Sequence, residues 1–137
     1  INIGGEVIVK GVNDKGRAWS IGVQNPNAMG EESQEVIQLH NAAMATSGNY
    51  RNYYVNAEGK RVAHTIDPRT ASPVTHSLLS ATVIAPSCAI ADAYATSFMV
   101  LGVEECKKIL KGLPELSVLL IYEEADSMKI YSTIKNN

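Results

Sequence analysis

Helix-forming sequence is confined to one stretch of this chain, and strand-forming segments lie on both sides of it. Ser87 is a typical N-cap residue, and a helix is predicted from Cys88 to Leu101, where Gly102 ends it. A second helix is predicted directly afterwards, from Val103 to Gly112. This order of strands, two adjacent helices and more strands differs from the regular βαβ alternation of a parallel sheet. The sequence therefore predicts an α+β fold, a largely antiparallel sheet with two adjacent helices packed on it.

The predicted strands alternate apolar and polar residues or are rich in β-branched residues, and turn formers separate them. Two hairpins are predicted, joining 6–12 to 18–26 across the turn 14–16, and 49–55 to 60–66 across the turn 56–59. The segment 67–73 contains two prolines and is predicted to be a loop. The remaining strands are predicted at 35–48, with Gly48 as the last residue, and at 79–86, 116–124 and 128–134.

Length and charge narrow the class of protein. The 137 residues are enough for one domain with a buried core. The net charge is −2 and there is no basic run, so no nucleic-acid partner is expected. The longest apolar tract, Thr96–Gly102, is too short to span a bilayer. Because the first residue is Ile1 and a strand-like pattern begins at once, we expect a single domain that is part of a larger protein.

The first predicted helix consists largely of alanine and other small residues, yet it carries an acid, Asp92, and an alcohol, Thr96, one turn apart. A helical wheel places Ile90, Tyr94, Ser97 and Leu101, with Phe98 at the edge, on a face predicted to pack on the sheet, and Asp92, Ala95 and Thr96 on the opposite face. A buried carboxylate needs a partner, and a hard cation such as Mg²⁺ would satisfy both oxygen-bearing side chains. A solvent-exposed polar face is the alternative.

A second group of polar residues, "HTIDPRT", lies at 64–70, where a predicted strand runs into a proline-containing loop. Binding groups are commonly displayed at such positions. His64 has a side chain suited to binding a phosphate or accepting a proton near neutral pH. The alternative is purely structural, because Asp67 and Pro68 start turns well and Arg69 can pair with Asp67.

A third segment, "TSGNYRNYY" at 46–54, combines small residues with a tyrosine-rich strand. Ser47 and Gly48 leave room for backbone N–H groups to approach a ligand, and Arg51 is available to bind phosphate. The alternative is a strand–turn–strand unit with aromatic cross-strand pairs.

Taken together and in this order, the motifs resemble the ApbE family of FAD:protein FMN transferases. The residues that carry the resemblance are "NIGGE" at 2–6, "ATSGNYRNYY" at 45–54, "HTIDPRTASPVTH" at 64–76 and "ADAYATS" at 91–97. The resemblance covers nearly the whole chain, but only the C-terminal part of a family member.

The resemblance implies an enzyme that binds FAD and Mg²⁺ and transfers FMN to a threonine or serine hydroxyl of an acceptor flavoprotein, releasing AMP. The acceptors implied include subunits of redox complexes. Similar proteins are exported to the bacterial cell envelope and lipid-anchored. Two alternatives stay open: a flavin-binding or storage module without transferase activity, and an FAD pyrophosphatase that uses water as the acceptor.

The resemblance also implies roles for individual residues. Asp92 and Thr96 match metal ligands through their side chains, and Ala95 matches one through its carbonyl oxygen. His64, Thr65 and Ile66 match positions that line the FAD site. The base that removes the acceptor proton is either His64 or Asp67.

The sequence departs from the family pattern in two places, and each departure leads to an expectation. Ala71 stands where the family commonly has glycine, which would alter the loop if that position needs a positive φ. The N-terminal part of a family member is missing, and it should supply a further metal contact and much of the flavin pocket. We therefore expect this chain alone to bind FAD weakly.

Overall fold

The computed structural model describes residues 1–26, 33–49, 53–55 and 61–135. The strands in these ranges are β1 (Asn2–Ile3), β2 (Glu6–Ile8), β3 (Trp19–Gln24), β4 (Ser33–Leu39), β5 (Ala43–Gly48), β6 (Tyr53–Val55), β7 (Arg61–Ala63), β8 (Ile66–Asp67), β9 (Ser72–Pro73), β10 (Leu78–Ala85), β11 (Ser117–Glu124) and β12 (Ser127–Ser132). The helices are α1 (Cys88–Leu101) and α2 (Val103–Leu110), which lie between β10 and β11 in the sequence.

Six of these strands form one sheet in the order β1-β2-β5-β10-β11-β12, and every neighbouring pair is antiparallel. The other strands form the pairs β3-β4, β6-β7 and β8-β9, which are also antiparallel. The predicted α+β fold, a largely antiparallel sheet with two adjacent helices, is confirmed. Within the described ranges, no helix is long and apolar enough to cross a bilayer.

The central strands of the sheet are covered on both faces. On one face, α1 and α2 bury side chains such as Phe98 and Cys106 against Ala81 and Val83 of β10. On the other face, the β3-β4 pair closes a second apolar cluster consisting of Val7, Val9, Val23, Ile37, Leu39, Met44, Leu119 and Ile121. Because both faces are covered, β10 reads as a nearly continuous apolar run rather than as an alternating one.

The helix prediction is confirmed in detail. Ser87 has extended backbone angles, and its hydroxyl accepts a hydrogen bond from the Ile90 N–H at 3.4 Å. Gly102 ends α1 with φ +79°, a conformation that residues with a Cβ rarely adopt. The predicted second helix begins at Val103 as expected, but it ends at Leu110 rather than Gly112.

The first predicted hairpin is wrong. β2 pairs with β1 and β5 in the large sheet, whereas β3 pairs with β4 in a separate layer. The chain does turn between them, since the Asn13 N–H donates to the Arg17 carbonyl at 2.8 Å. Val7 and Val23 belong to one apolar cluster between the two layers and are not paired along a ladder. The turn residues encode a reversal of direction, and burial of both apolar faces decides the strand partners.

The predicted strand at 35–48 is interrupted. β4 ends at Leu39 and β5 begins at Ala43, and Asn41 between them has φ +49°. Asparagine is among the few residues that adopt this backbone conformation readily. Gly48 is the last residue of β5, as predicted. The segment predicted as a loop at 67–73 contains the short β8-β9 hairpin.

The pairing of β6 with β7 confirms the second predicted hairpin. β11 and β12, both predicted as strands, also pair with each other as an antiparallel hairpin. The predicted turn 56–59 between β6 and β7 lies outside the described residues.

Candidate functional site

The face of α1 that packs on the sheet agrees only in part with the predicted one: Phe98 is buried and Tyr94 and Leu101 pack against the core, as predicted. Its buried residues are Ala91, Ala95, Phe98 and Met99. Ile90, assigned to the packed face from the sequence, is 42% exposed, and Ser97 is exposed as well. The buried face is centred on the alanines instead, which face inward and let the helix lie close against β5 and β10.

Asp92 and Thr96 lie on the exposed side of α1, one turn apart. Of the two possibilities that the sequence left open for Asp92, the structure shows the exposed polar face, whereas the placing of the Ala95 side chain beside it is wrong because Ala95 is buried. Within the described residues, the Asp92 carboxylate forms no hydrogen bond or ion pair. Both carboxylate oxygens are consequently available to a ligand.

The end of β5 contacts this turn of α1. The Ser47 hydroxyl lies 3.2 Å from the Thr96 hydroxyl, and either oxygen can be the donor. Ser47 belongs to the small-residue segment, and Gly48 beside it is paired with Ser80 of β10. A residue predicted to bind the cofactor is thus in contact with one predicted to bind the metal, although the two are far apart in sequence.

The next residue of the segment, Asn49, contacts the histidine-bearing motif. The Thr65 hydroxyl donates to Asn49 Oδ1 at 2.7 Å, and the Asn49 N–H donates to the Leu79 carbonyl at 2.9 Å. Sequence reasoning did not single out Asn49. The available signal was its position two residues after Ser47, directly behind a strand-ending glycine.

His64 lies between β7 and β8 and is exposed. Ile66, the first residue of β8, is 48% exposed, and Cα atoms of β8 lie within 8 Å of Cα atoms of α1. The histidine-bearing motif is therefore beside the helix that carries Asp92 and Thr96. Arg51, predicted to bind phosphate, lies outside the described residues.

Asp67 forms a two-pronged ion pair with Arg69. Arg69 Nε donates to Asp67 Oδ1 at 2.9 Å and Nη2 donates to Oδ2 at 2.7 Å, and the Arg69 N–H also donates to Oδ1. These hydrogen bonds lower the pKa of the Asp67 carboxyl below its ordinary value. The predicted pairing of Asp67 with Arg69 is confirmed. Both oxygens of the Asp67 carboxylate are therefore engaged by Arg69, within the turn that follows His64.

His76 holds the C-terminal end of α1 and lies outside the group of contacts around Ser47 and Asn49. Its Nε2 lies 2.8 Å from the Met99 carbonyl, and its Nδ1 accepts the Leu78 N–H at 3.3 Å. Since Nδ1 is an acceptor here, Nε2 carries the proton and donates to Met99. A Cβ at Gly102 would lie 3.0 Å from the His76 ring, so the glycine lets the two elements touch.

The oxygen donors on α1 suit a hard divalent cation. They are the Asp92 carboxylate, which has no partner among the described residues, the Thr96 hydroxyl and the Ala95 carbonyl, all of them oxygen ligands of the kind that Mg²⁺ binds. No cluster of three or more His, Cys, Asp or Glu side chains that could hold a metal occurs among the described residues. A cation bound here would therefore take its other ligands from water, from a phosphate-bearing substrate or from further polypeptide. The chemistry of these oxygen donors is therefore compatible with Mg²⁺ as the bound cation.

Comparison with known proteins identifies the family of this chain. The family model described as "ApbE family" matches residues 1–120. The chain belongs to the ApbE family. Among curated ApbE-family relatives, the FAD:protein FMN transferase of Escherichia coli is 40% identical over 131 residues. That of Haemophilus influenzae is 44% identical over 122 residues and covers 88% of this chain.

Solved ApbE structures have the same fold. The flavin transferase ApbE from Vibrio cholerae superposes with a TM-score of 0.78 at 36% identity and covers 96% of this chain. The apo flavinyl transferase ApbE from Pseudomonas stutzeri gives 0.79 at 31% identity, also over 96% of the chain. This chain spans 37% of the Escherichia coli protein and 40% of the Vibrio cholerae structure. The resemblance read from the motifs is confirmed.

Proposed function

We propose that this chain contributes one side of the active site of a Mg²⁺-dependent FAD:protein FMN transferase. The enzyme transfers FMN from FAD to a threonine or serine hydroxyl of an acceptor flavoprotein and releases AMP. One observation carries the proposal: the Ser47–Thr96 and Thr65–Asn49 hydrogen bonds join three separate motifs into one group. Relatives named FAD:protein FMN transferase support the same chemistry.

Asp92, Thr96 and the Ala95 carbonyl are the residues we assign to Mg²⁺. Asp92 supplies the only negative charge among them, and its carboxylate has no competing partner within the described residues. When bound, the cation would neutralise negative charge that develops on the pyrophosphate as AMP leaves. Ser47 fixes the Thr96 hydroxyl, so that its lone pairs keep one direction.

In the proposed reaction, one bond to phosphorus forms, another breaks and one proton is transferred. The acceptor hydroxyl oxygen forms a bond to the phosphorus on the FMN side of the pyrophosphate. The bond from that phosphorus to the bridging oxygen breaks, and AMP leaves with that oxygen. His64 takes the hydroxyl proton, because a threonine or serine alcohol is a poor nucleophile while protonated. Asp67, engaged by Arg69, stabilises the turn that follows His64.

The rest of the site belongs, in this proposal, to a longer polypeptide. The curated relatives are longer than this chain, which spans 37% of the Escherichia coli protein. The missing part would complete the metal ligands and most of the flavin pocket, so the 137-residue chain by itself binds FAD weakly. We further propose that the complete protein is exported and lipid-anchored, with a redox-complex subunit as acceptor.

The test measures flavin transfer by a family-length protein, meaning a protein of the full length of an ApbE-family member in which this chain is the C-terminal part. The protein is incubated with FAD, Mg²⁺ and an acceptor flavoprotein, and intact mass spectrometry measures addition of one FMN. Asp92→Ala should abolish transfer and weaken Mn²⁺ binding, whereas Asp14→Ala, which removes an exposed acid in a distant turn, should do neither. Unchanged transfer by Asp92→Ala would contradict the proposed metal site.

Product analysis separates the alternatives. A transferase yields flavinylated acceptor and an equal amount of AMP. A pyrophosphatase yields free FMN and AMP with or without acceptor, and a storage module leaves FAD intact.

A further inference from the structure

We propose that Asn49 is a positioning residue for flavin transfer, acting on His64 through Thr65. The inference rests on the proposed function, because it assigns His64 as the group that faces the substrate. Asn49 itself touches neither substrate nor metal in this proposal. It fixes the relation between the histidine-bearing motif and the metal-binding turn of α1.

The main chain at Asn49 is anchored to the sheet. Its N–H donates to the Leu79 carbonyl at 2.9 Å, one step beyond the last β5-β10 pair, which joins Gly48 to Ser80. Leu79 is the second residue of β10, half-buried between the fully buried Leu78 and Ser80. The main chain of Asn49 is consequently tied to the end of a strand of the central sheet.

The side chain of Asn49 transmits that position to Thr65. Asn49 Oδ1 accepts the Thr65 hydroxyl at 2.7 Å in a partly buried contact. The Thr65 carbonyl in turn accepts the Val74 N–H at 3.0 Å. Thr65 is therefore fixed through its side chain on one side and through its main chain on the other. His64 precedes Thr65 directly and is exposed, so the contacts of Thr65 fix the backbone from which the imidazole extends.

The same segment fixes the metal-binding turn. Ser47 contacts Thr96 and Asn49 contacts Thr65, so two residues two positions apart hold both halves of the site. This segment therefore couples the position of the histidine-bearing motif to that of the metal-binding turn.

The first test uses the 137-residue chain and needs no activity. NMR records the His64 ring signals, which are assigned among the three histidines by substitution of each. Asn49→Leu removes the acceptor and Thr65→Val removes the donor, and both should shift the His64 signals in the same way. Asn49→Asp keeps an acceptor oxygen and should restore them. Thr133→Val, which removes a partly buried 2.9 Å contact with Val118 at a distance from His64, is the control that leaves them unchanged.

The second test uses the family-length transferase. Asn49→Leu should lower kcat about ten-fold, since a small displacement of a reacting group is costly. Asn49→Asp should retain kcat and raise KM, because its added charge repels the pyrophosphate while its oxygen still holds Thr65. A merely structural role predicts no such split between kcat and KM.

The proposal would be overturned if the His64 signals of Asn49→Leu coincided with those of the unsubstituted chain. It would also be overturned if Asn49→Asp lowered kcat as much as Asn49→Leu does.

If the unsubstituted protein transfers no FMN, the proposed function fails. The NMR signals of the His64 imidazole still decide whether Asn49 controls the position of His64.

Discussion

Ser47 Oγ lies 3.2 Å from Thr96 Oγ1, and this contact joins the end of β5 to the exposed turn of α1. A hydroxyl that gives a lone pair to a cation still carries a proton, and that proton needs an acceptor. Ser47 is positioned to be that acceptor. In the proposed site, this contact would leave a Thr96 lone pair available to a cation that Asp92 also binds.

Replacing Ser47 with alanine should weaken the binding of Mn²⁺, used as a probe for Mg²⁺, in the family-length protein. Loss of a group that orients a metal ligand typically lowers affinity about ten-fold or more. Ser97→Ala is the matched control on the same helix, because the Ser97 hydroxyl donates to the Ala93 carbonyl at 2.7 Å and is not part of the site. Isothermal titration would measure both, and equal affinities in the two variants would contradict the role of Ser47.

Ala71→Gly should stabilise the protein. Ala71 stands where the family commonly has glycine, and it has φ +53°. This position therefore adopts a backbone conformation that glycine favours. Relief of left-handed strain, offset by the greater chain entropy of glycine, should raise the free energy of unfolding by about 0.5–1 kcal/mol. Ala93→Gly, within α1, should lower it by about 1 kcal/mol. Urea denaturation measures both, and a loss of stability in Ala71→Gly would show that the turn is not strained.

Arg69→Met should raise the pKa of the Asp67 carboxyl toward its ordinary value of 3.8. Because the folded-state pKa is lowered, Asp67 contributes stability that is present above the unfolded pKa and is lost as pH falls through the folded value. The stability difference between Arg69→Met and the unsubstituted protein should therefore shrink in acid, below about pH 4. NMR titration of the Asp67 carboxyl carbon checks the shift, with Arg17→Met, an exposed cation elsewhere, as control. An unchanged Asp67 titration in Arg69→Met would disprove the assigned cause.

Gly102→Ala should destabilise the junction between the helices. Gly102 has φ +79°, and an added Cβ would lie 3.0 Å from the His76 ring. A residue with a side chain in such a conformation costs about 1–3 kcal/mol. At Gly112 the same change would meet only the Ile109 carbonyl at 3.5 Å, an ordinary contact. Thermal unfolding should separate the two variants, and equal melting temperatures would mean that the junction adjusts freely.

Local signals in the sequence were sufficient wherever a short segment controls its own conformation. The Ser87 cap, the Gly102 stop and the β11-β12 hairpin follow from capping, glycine and turn chemistry within a few residues. The strand partners of β2 and β3 were not predictable in this way. Pairing between β2 and β5 joins segments more than thirty residues apart, and apolar burial in two layers selects it.

The candidate site shows the same difference between features set by local sequence and features set by tertiary packing. The sequence by itself determined the chemistry: which oxygen-bearing side chains occur, that Asp92 and Thr96 are one helical turn apart, and that the motifs resemble the ApbE family. The tertiary structure decided which face of α1 is exposed, that Ser47 and Thr96 touch, and that Asn49 joins the sheet to Thr65. Helical spacing and capping are local and can be read from neighbouring residues. Contacts between β5, β8 and α1 depend on how the whole sheet packs, which no short segment encodes.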